Sequence, residues 1–147
     1  MGQELNSGLA AGAAFTNNKP NAFTWTYLIE YRPHKSMLSI NSGITLIAGH
    51  FIPAYSFPLY LKVIIGNQFR VCPSFGGFIR TNKSHGLSSG VTLEYEIPEN
   101  LVIYLQGDYN RDYQKVEIPT HMGQTGESTS TFSSIWISIG LKKNILQ

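Results

Sequence analysis

The feature that most constrains this chain is a period of two in its apolar residues, repeated along almost its whole length. Phe23, Trp25, Tyr27, Ile29 and Tyr31 alternate with Thr24, Thr26, Leu28, Glu30 and Arg32. Leu87, Val91, Leu93, Tyr95 and Ile97 alternate with Ser88, Gly90, Thr92, Glu94 and Glu96. Leu101, Ile103, Leu105 and Tyr109 alternate with Tyr104, Gln106, Asp108 and Asn110. Ile135, Ile137, Ile139 and Leu141 alternate with Ser134, Trp136, Ser138, Gly140 and Lys142. Successive side chains of a strand point to opposite faces, so each segment carries one apolar face and one mixed face. Residues 5–15, 38–48, 57–65 and 69–79 fit less cleanly. The first places Gly8, Ala10, Gly12 and Ala14 on one face, and two interior glycines weaken a helical reading of it. β-Branched and aromatic enrichment favours strands in the rest. The total is about eight strands of roughly 9–11 residues, the length of a tilted transmembrane strand.

Composition narrows what such strands can build. The 147 residues suit a single domain, 1–147. Hydrophobic residues make up 42% and aromatic residues 12%, which excludes disorder. Charged residues make up only 14%, against about 25% in an ordinary soluble domain. No apolar run approaches the roughly 18 residues of a membrane helix. A chain so short of charge either buries nearly everything or lives in lipid as strands. The net charge of +2 is weak and the Lys and Arg residues are scattered, so no nucleic-acid footprint forms. The one cysteine, Cys72, excludes an internal disulfide and a Cys-based zinc cluster. MGQELNSG has neither a charged n-region nor an apolar h-region, so Met1 reads as a start residue ahead of a mature end near Gln3, an export signal having been removed.

The connections read as alternating in length. Asn17 to Asn21, residues 49–56, residues 80–85 and the polar stretch 112–130 are the longer ones. Arg32-Pro33-His34-Lys35, Gly66-Asn67-Gln68 and Pro98-Glu99-Asn100 are the tight ones. Short turns at one end and long loops at the other are the plan of bacterial outer-membrane barrels. The face opposite the apolar one is small and polar, including Ser39, Asn41, Gly43, Ser74, Ser88 and Ser138. Such residues suit the cramped lumen of an eight-stranded barrel rather than a solvated wall. Phe15, Phe23, Trp25, Phe57, Phe75 and Tyr109 fall towards the long-loop end, and Tyr31 and Tyr95 towards the other, as interfacial girdles do.

The run FPLYLKVIIGNQFRVCPSFGGFIRTN resembles the strand–turn–strand centre of the small, porin-like outer-membrane β-barrel domain family common in Bacteroidota. GLSSGVTLEYEIPENLVIYLQGDYNRDY and SSIWISIGLKK are similar to that family's last strands, so the resemblance spans residues 5–142. It implies an all-β, eight-stranded, antiparallel, up-and-down transmembrane barrel in the bacterial outer membrane, and it implies no assigned reaction. Barrels of this kind often end on an aromatic residue, whereas this chain runs on through Asn144, Ile145, Leu146 and Gln147.

The candidate chemistry is sparse. Glu30, Lys62, Arg70, Glu94 and Glu96 all fall on the inward face, in the short-turn half of the barrel. Charges in a narrow lumen must pair or neutralise, so these five predict a network that either plugs the barrel or gates an ion path. Lys62 and Arg70 are expected to lie almost opposite each other across one hairpin. Asp108, Arg80 and Asp112 supply a second polar layer towards the long loops. Pro58 and Pro73 are expected near bulges or strand ends, since proline cannot donate to the ladder. His85 has Ser84, Ser88 and Ser89 close by, but Ser88 falls on the inward face with Glu94 whereas Ser89 faces lipid, and no Ser–His–acid arrangement is fixed by the spacing. His34, His50, His85 and His121 all lie in turns or loops, none at the spacing of a local metal site. Cys72 reads as a small buried filler.

The expectation is a non-enzymatic barrel, structural or accessory to an envelope complex, with recognition carried by the long loops and above all by residues 112–130. Its partners are outer-membrane lipid and lipopolysaccharide and a larger outer-membrane complex; no cofactor, metal or nucleic acid is expected. A lipid A-modifying hydrolase and a soluble lipocalin-like ligand-binding barrel are the alternatives.

Overall fold

The computed structural model describes residues 3–33, 36–49, 53–119 and 125–146. Eight strands form: β1 (Glu4–Thr16), β2 (Lys19–Arg32), β3 (Leu38–Gly49), β4 (Ala54–Val63, resuming as Ile65–Gly66), β5 (Phe69–Arg80), β6 (His85–Ile97), β7 (Leu101–Pro119) and β8 (Thr125–Leu146). Each pairs antiparallel with the next, and β8 pairs with β1. The sheet is therefore a closed up-and-down barrel, as the alternation implies.

The register fixes its shape. One row of cross-strand partners runs Tyr55, Leu46, Trp25, Ala11, Ile139, Leu105, Leu93, Val71 and back to β4 at Ile65, ten residues beyond its start (65 − 55). Eight strands with that stagger tilt by about 40° to the barrel axis. Ten residues, foreshortened by the tilt, cover about 25 Å of height, the thickness of the apolar band on an outer-membrane barrel. Every member of the row points outward. Trp25 is 62% exposed, Ile139 60% and Tyr55 49%, and 34 large hydrophobic residues among the described ones face outward or lie open. A soluble barrel would turn that face inward, so the lipocalin-like alternative fails on the direction of the side chains.

The loop lengths differ from the sequence expectation. β1 and β2 are joined by Asn17 and Asn18 alone, both left-handed at φ 52° and 60°, the type I′ geometry that suits asparagine and matches strand twist. On the opposite end, residues 33–37 separate β2 from β3. What distinguishes the two ends is strand length. β7 and β8 run to 19 and 22 residues and stay paired through Gln114↔Ser130 and on to Pro119↔Thr125. The stretch 112–130 is thus a β-ribbon rather than a loop, apart from residues 120–124, which lie outside the described residues. β6 leaves β7 at Tyr113, and β1 leaves β8 at Ile135, so the ribbon stands clear of the cylinder. Its serines and glycines suggest a loop, but Val116 opposite Ser128 and Tyr113 opposite Thr131 are residues that fit an extended pair.

The prolines interrupt the ladder locally. Pro73 keeps its pairing with Val91 on β6, so its missing N–H faces β4. There the ladder skips from Lys62↔Ser74 to Ile65↔Val71, and Ile64 N instead donates to Met37 O at 2.7 Å. Pro58 sits mid-strand rather than at an end, opposite a gap in the β3–β4 ladder between Ser42↔Leu59 and Thr45↔Ser56. Ser42 Oγ donates to Pro58 O at 3.1 Å across that gap.

Inside, large side chains are seated over glycines on the next strand. Lys142 faces Gly8, Tyr104 faces Gly140, Tyr60 faces Gly76, Phe78 faces Gly86 and Asp108 faces Gly90. At Gly8, an added Cβ would lie 2.6 Å from Lys142 Cβ and 2.5 Å from the Leu141 carbonyl oxygen. A close-packed interior has no slack to absorb this. Gly8→Ala should therefore lower folding stability by about 1–3 kcal/mol, measured by unfolding in detergent or lipid. An unchanged stability would show that β1 does not pack against Lys142.

Candidate functional site

The lumen of this barrel is organised around four charged side chains, one from each of the strands β2, β4, β6 and β8: Glu30, Lys62, Glu94 and Lys142. Each is at most 2% exposed. They alternate in sign around the barrel. Lys62 Nζ donates to Glu30 Oε2 at 2.8 Å and also to Glu94 Oε1. Lys142 Nζ donates to the same two oxygens, each at 2.7 Å. Two ammonium groups and two carboxylates therefore close a ring across the barrel axis. All four strands run in the same direction, so the ring is reached every second strand by side chains of one parity. Gly8 on β1 leaves the space that Lys142 fills.

Below the ring, towards the turns at residues 67–68 and 98–100, Arg70 pairs with Glu96, and its Nη1 lies 3.8 Å from Glu94 Oε2. Arg70 Nε donates to Asn67 O at 2.7 Å, which anchors it to the turn. The sequence expectation that Lys62 and Arg70 face each other fails on register. Lys62 is opposite Ser74 and Arg70 is opposite Gly66, so Arg70 lies four residues nearer the turn. It belongs to the rim, and Lys62 to the ring.

Lys142 is the residue that sequence reasoning missed. Its parity, shared with Ser138 and Gly140, places it inward, but as the last residue of its alternating segment it passed for a strand end. The available signal was charge: Glu30, Glu94 and Glu96 against Lys62 and Arg70 leaves one carboxylate over, and Lys142 makes the count equal.

Higher in the lumen, Arg80 pairs with Asp112. The Arg80 guanidinium lies 4.3 Å from the Phe78 ring centroid and 5.0 Å from that of Trp136, held between aromatic faces. Asp108 does not join them; its Oδ2 accepts from Gln106 Nε2 at 2.7 Å. Between the two layers lies a cavity of only about 40 Å³, bordered by Thr24, Asn41, Tyr60 and Asp108, room for a few waters. Above Arg80 the mouth widens to about 610 Å³.

The remaining candidates stay apart. Ser88 is buried in the lumen while His85 lies on the outer face, so no hydrogen bond joins them. Ser89 shares the face of His85 but sits four residues along the same strand, about 13 Å away. Cys72 is buried and free. His34, His50 and His121 lie outside the described residues, and no group of three or more His, Cys, Asp or Glu side chains could hold a metal among the described ones.

Comparison with known structures settles the fold. The chain is similar to Neisserial surface protein A, with 14% identity, a TM-score of 0.62, and coverage of 99% of this chain and 98% of that one. It has the fold of an outer-membrane β-barrel. A major outer membrane protein from Thermus thermophilus gives 12% identity and a TM-score of 0.62, covering 96% of this chain and 99% of that one. The de novo designed TMB2.3 gives 14% identity and a TM-score of 0.61, covering 98% and 95%. No protein-family profile matches the sequence, and no curated protein is detectably similar to it.

The ring makes a specific energetic statement. Removing one member of a buried pair strands the other charge, so Glu94→Gln or Lys62→Met alone should cost about 3–5 kcal/mol. The double substitution leaves Glu30 and Lys142 paired and should cost much less than the sum. Equilibrium unfolding in detergent or lipid measures both. Small, additive changes, each under about 1 kcal/mol, would mean that water screens these charges.

Proposed function

We propose that this chain is a non-enzymatic barrel of the bacterial outer membrane, a structural or accessory subunit whose lumen is sealed and whose recognition is carried by the β7–β8 ribbon. The observation that carries the reading is the ring of Glu30, Lys62, Glu94 and Lys142, which spans the lumen with four ionic contacts. An eight-stranded lumen is already filled by side chains, and a crossing this tight leaves no open path for a solute. The apolar exterior supports residence in lipid, and the likeness to outer-membrane barrels supports the outer membrane as that lipid. The sequence resemblance to the Bacteroidota family gives a finer version of the same reading. The lumen of a subunit of this kind is a strut, and the ribbon is the part that reaches furthest from the membrane. The natural partners are outer-membrane lipid, lipopolysaccharide and a larger envelope complex.

Three measurements test this reading. In planar bilayers the purified barrel should give no steady conductance at neutral pH, whereas Lys62→Met with Lys142→Met should make the lumen leaky. Solubilised gently from native outer membranes, the intact chain should bring a larger assembly with it, and a chain shortened by removal of residues 115–129 should not. A lipid A mass spectrum that changes when the protein is present would replace the proposal with the lipid-modifying hydrolase.

A further inference from the structure

On the wall of β5, β6 and β7 the exterior is apolar, Ser89 apart, up to Ile79, Leu87 and Tyr109. Directly above, the outward positions change character. Arg111 faces Leu87 across the β6–β7 ladder, and His85 faces Tyr113. The Arg111 guanidinium lies 5.9 Å from the Tyr113 ring centroid, and the His85 ring 6.0 Å from it. Arg111 therefore leans up over Tyr113 and away from the apolar band, as long cationic side chains do at a lipid–water boundary. Lys83 stands in the tight turn that leads into β6, its N donating to Arg80 O at 3.2 Å.

These cations are not spent on neighbours. Among the described residues, neither Arg111 nor Lys83 has a carboxylate within 4.0 Å, whereas Lys115, the next outward cation on β7, is held by Glu127 at 3.0 Å. At the same level on other strands the outward residues are uncharged: Phe15, Tyr55 and Ser133. The rim thus carries a local cationic patch at headgroup height, continuous with an apolar track below it.

We propose that Arg111, Lys83 and His85 hold the phosphate headgroup of an anionic membrane lipid, whose acyl chains lie down the wall over Ile79, Leu87 and Phe75. A guanidinium forks onto phosphate oxygens through paired N–H groups, and the ammonium of Lys83 adds a second charge. The apolar track identifies the source as a lipid rather than a free anion, because it offers the chains a surface that inorganic phosphate has no use for. The proposal rests on the chain being a lipid-spanning barrel, and heat-dependent migration on an SDS gel tests that reading separately.

The test is native mass spectrometry of the folded barrel in a zwitterionic detergent, with bisphosphorylated lipid A, the same lipid A stripped of its phosphates, and inorganic phosphate as probes. The intact chain should retain one bisphosphorylated lipid. Removing the phosphates, or combining Arg111→Gln with Lys83→Gln, should weaken retention about tenfold or more, since each cation near an anionic headgroup contributes about fivefold. Lys143→Gln, an exposed cation at the opposite rim, should leave retention unchanged, as should the fold of every variant. Equal retention by the double variant, equal retention of the dephosphorylated lipid, or an equal loss from Lys143→Gln would overturn the proposal. So would inorganic phosphate retained on its own, which would mark a soluble-anion site.

Discussion

Everything in this structure depends on the pairing of β8 with β1. Between a strand and lipid no water is available to take up a backbone N–H or C=O, so a sheet with a free edge cannot persist there. Closing the cylinder satisfies the edge, and the closure also dictates the interior. With eight strands and a stagger of ten residues the lumen is narrow, and a large side chain fits only where the neighbouring strand gives way. The glycines opposite Lys142, Tyr104, Tyr60 and Phe78 are where it gives way. The packing of the inside follows from the geometry of the wall.

Charge is the second constraint. A polar lumen protected from lipid by its wall can hold ionised groups, but only if they meet partners. The barrel meets this with two levels. One is the four-membered ring, nearer the end opposite the ribbon; the other is Arg80 with Asp112 beneath the mouth, braced by Phe78 and Trp136. The levels are separated by hydroxyl and amide side chains and by the carboxyl group of Asp108, which Gln106 meets. The wall in between has little freedom to bow inward or outward, because each level ties together strands that are not neighbours in the sheet.

The fold was legible in the sequence because alternation is a local property. Trp25, Tyr27 and Ile29 announce one apolar face, Glu30 after them announces the opposite one, and the small polar residues that share the face of Glu30 mark it as the lumen. The shared face of Glu30, Lys62 and Glu94 follows from parity, and its small polar neighbours make that face the inward one. What parity does not carry is height. Whether Arg70 lies beside Lys62 depends on the register about one turn, and register is set by hydrogen bonds that leave no mark on composition. Lys142 escaped notice for the same reason, since its partners lie 48 and 112 residues away. The ribbon formed by β7 and β8 was obscured differently. Serine, threonine and glycine serve equally well in a loop and in a strand that nothing covers, and only pairing decides between them.

The ring also ties neutralisation to topology. Glu30 and Glu94 arrive with the second and sixth strands, and Lys62 with the fourth, so the first seven strands together leave one of the two carboxylates without its cation. Lys142 arrives on the eighth strand, the one whose other edge meets β1. A cylinder still open at that seam is therefore electrically incomplete as well as unsealed. Completing the hydrogen-bonded wall and completing the charge balance of its interior are a single event, and an assembly intermediate one strand short carries its defect at the centre rather than only at its edge.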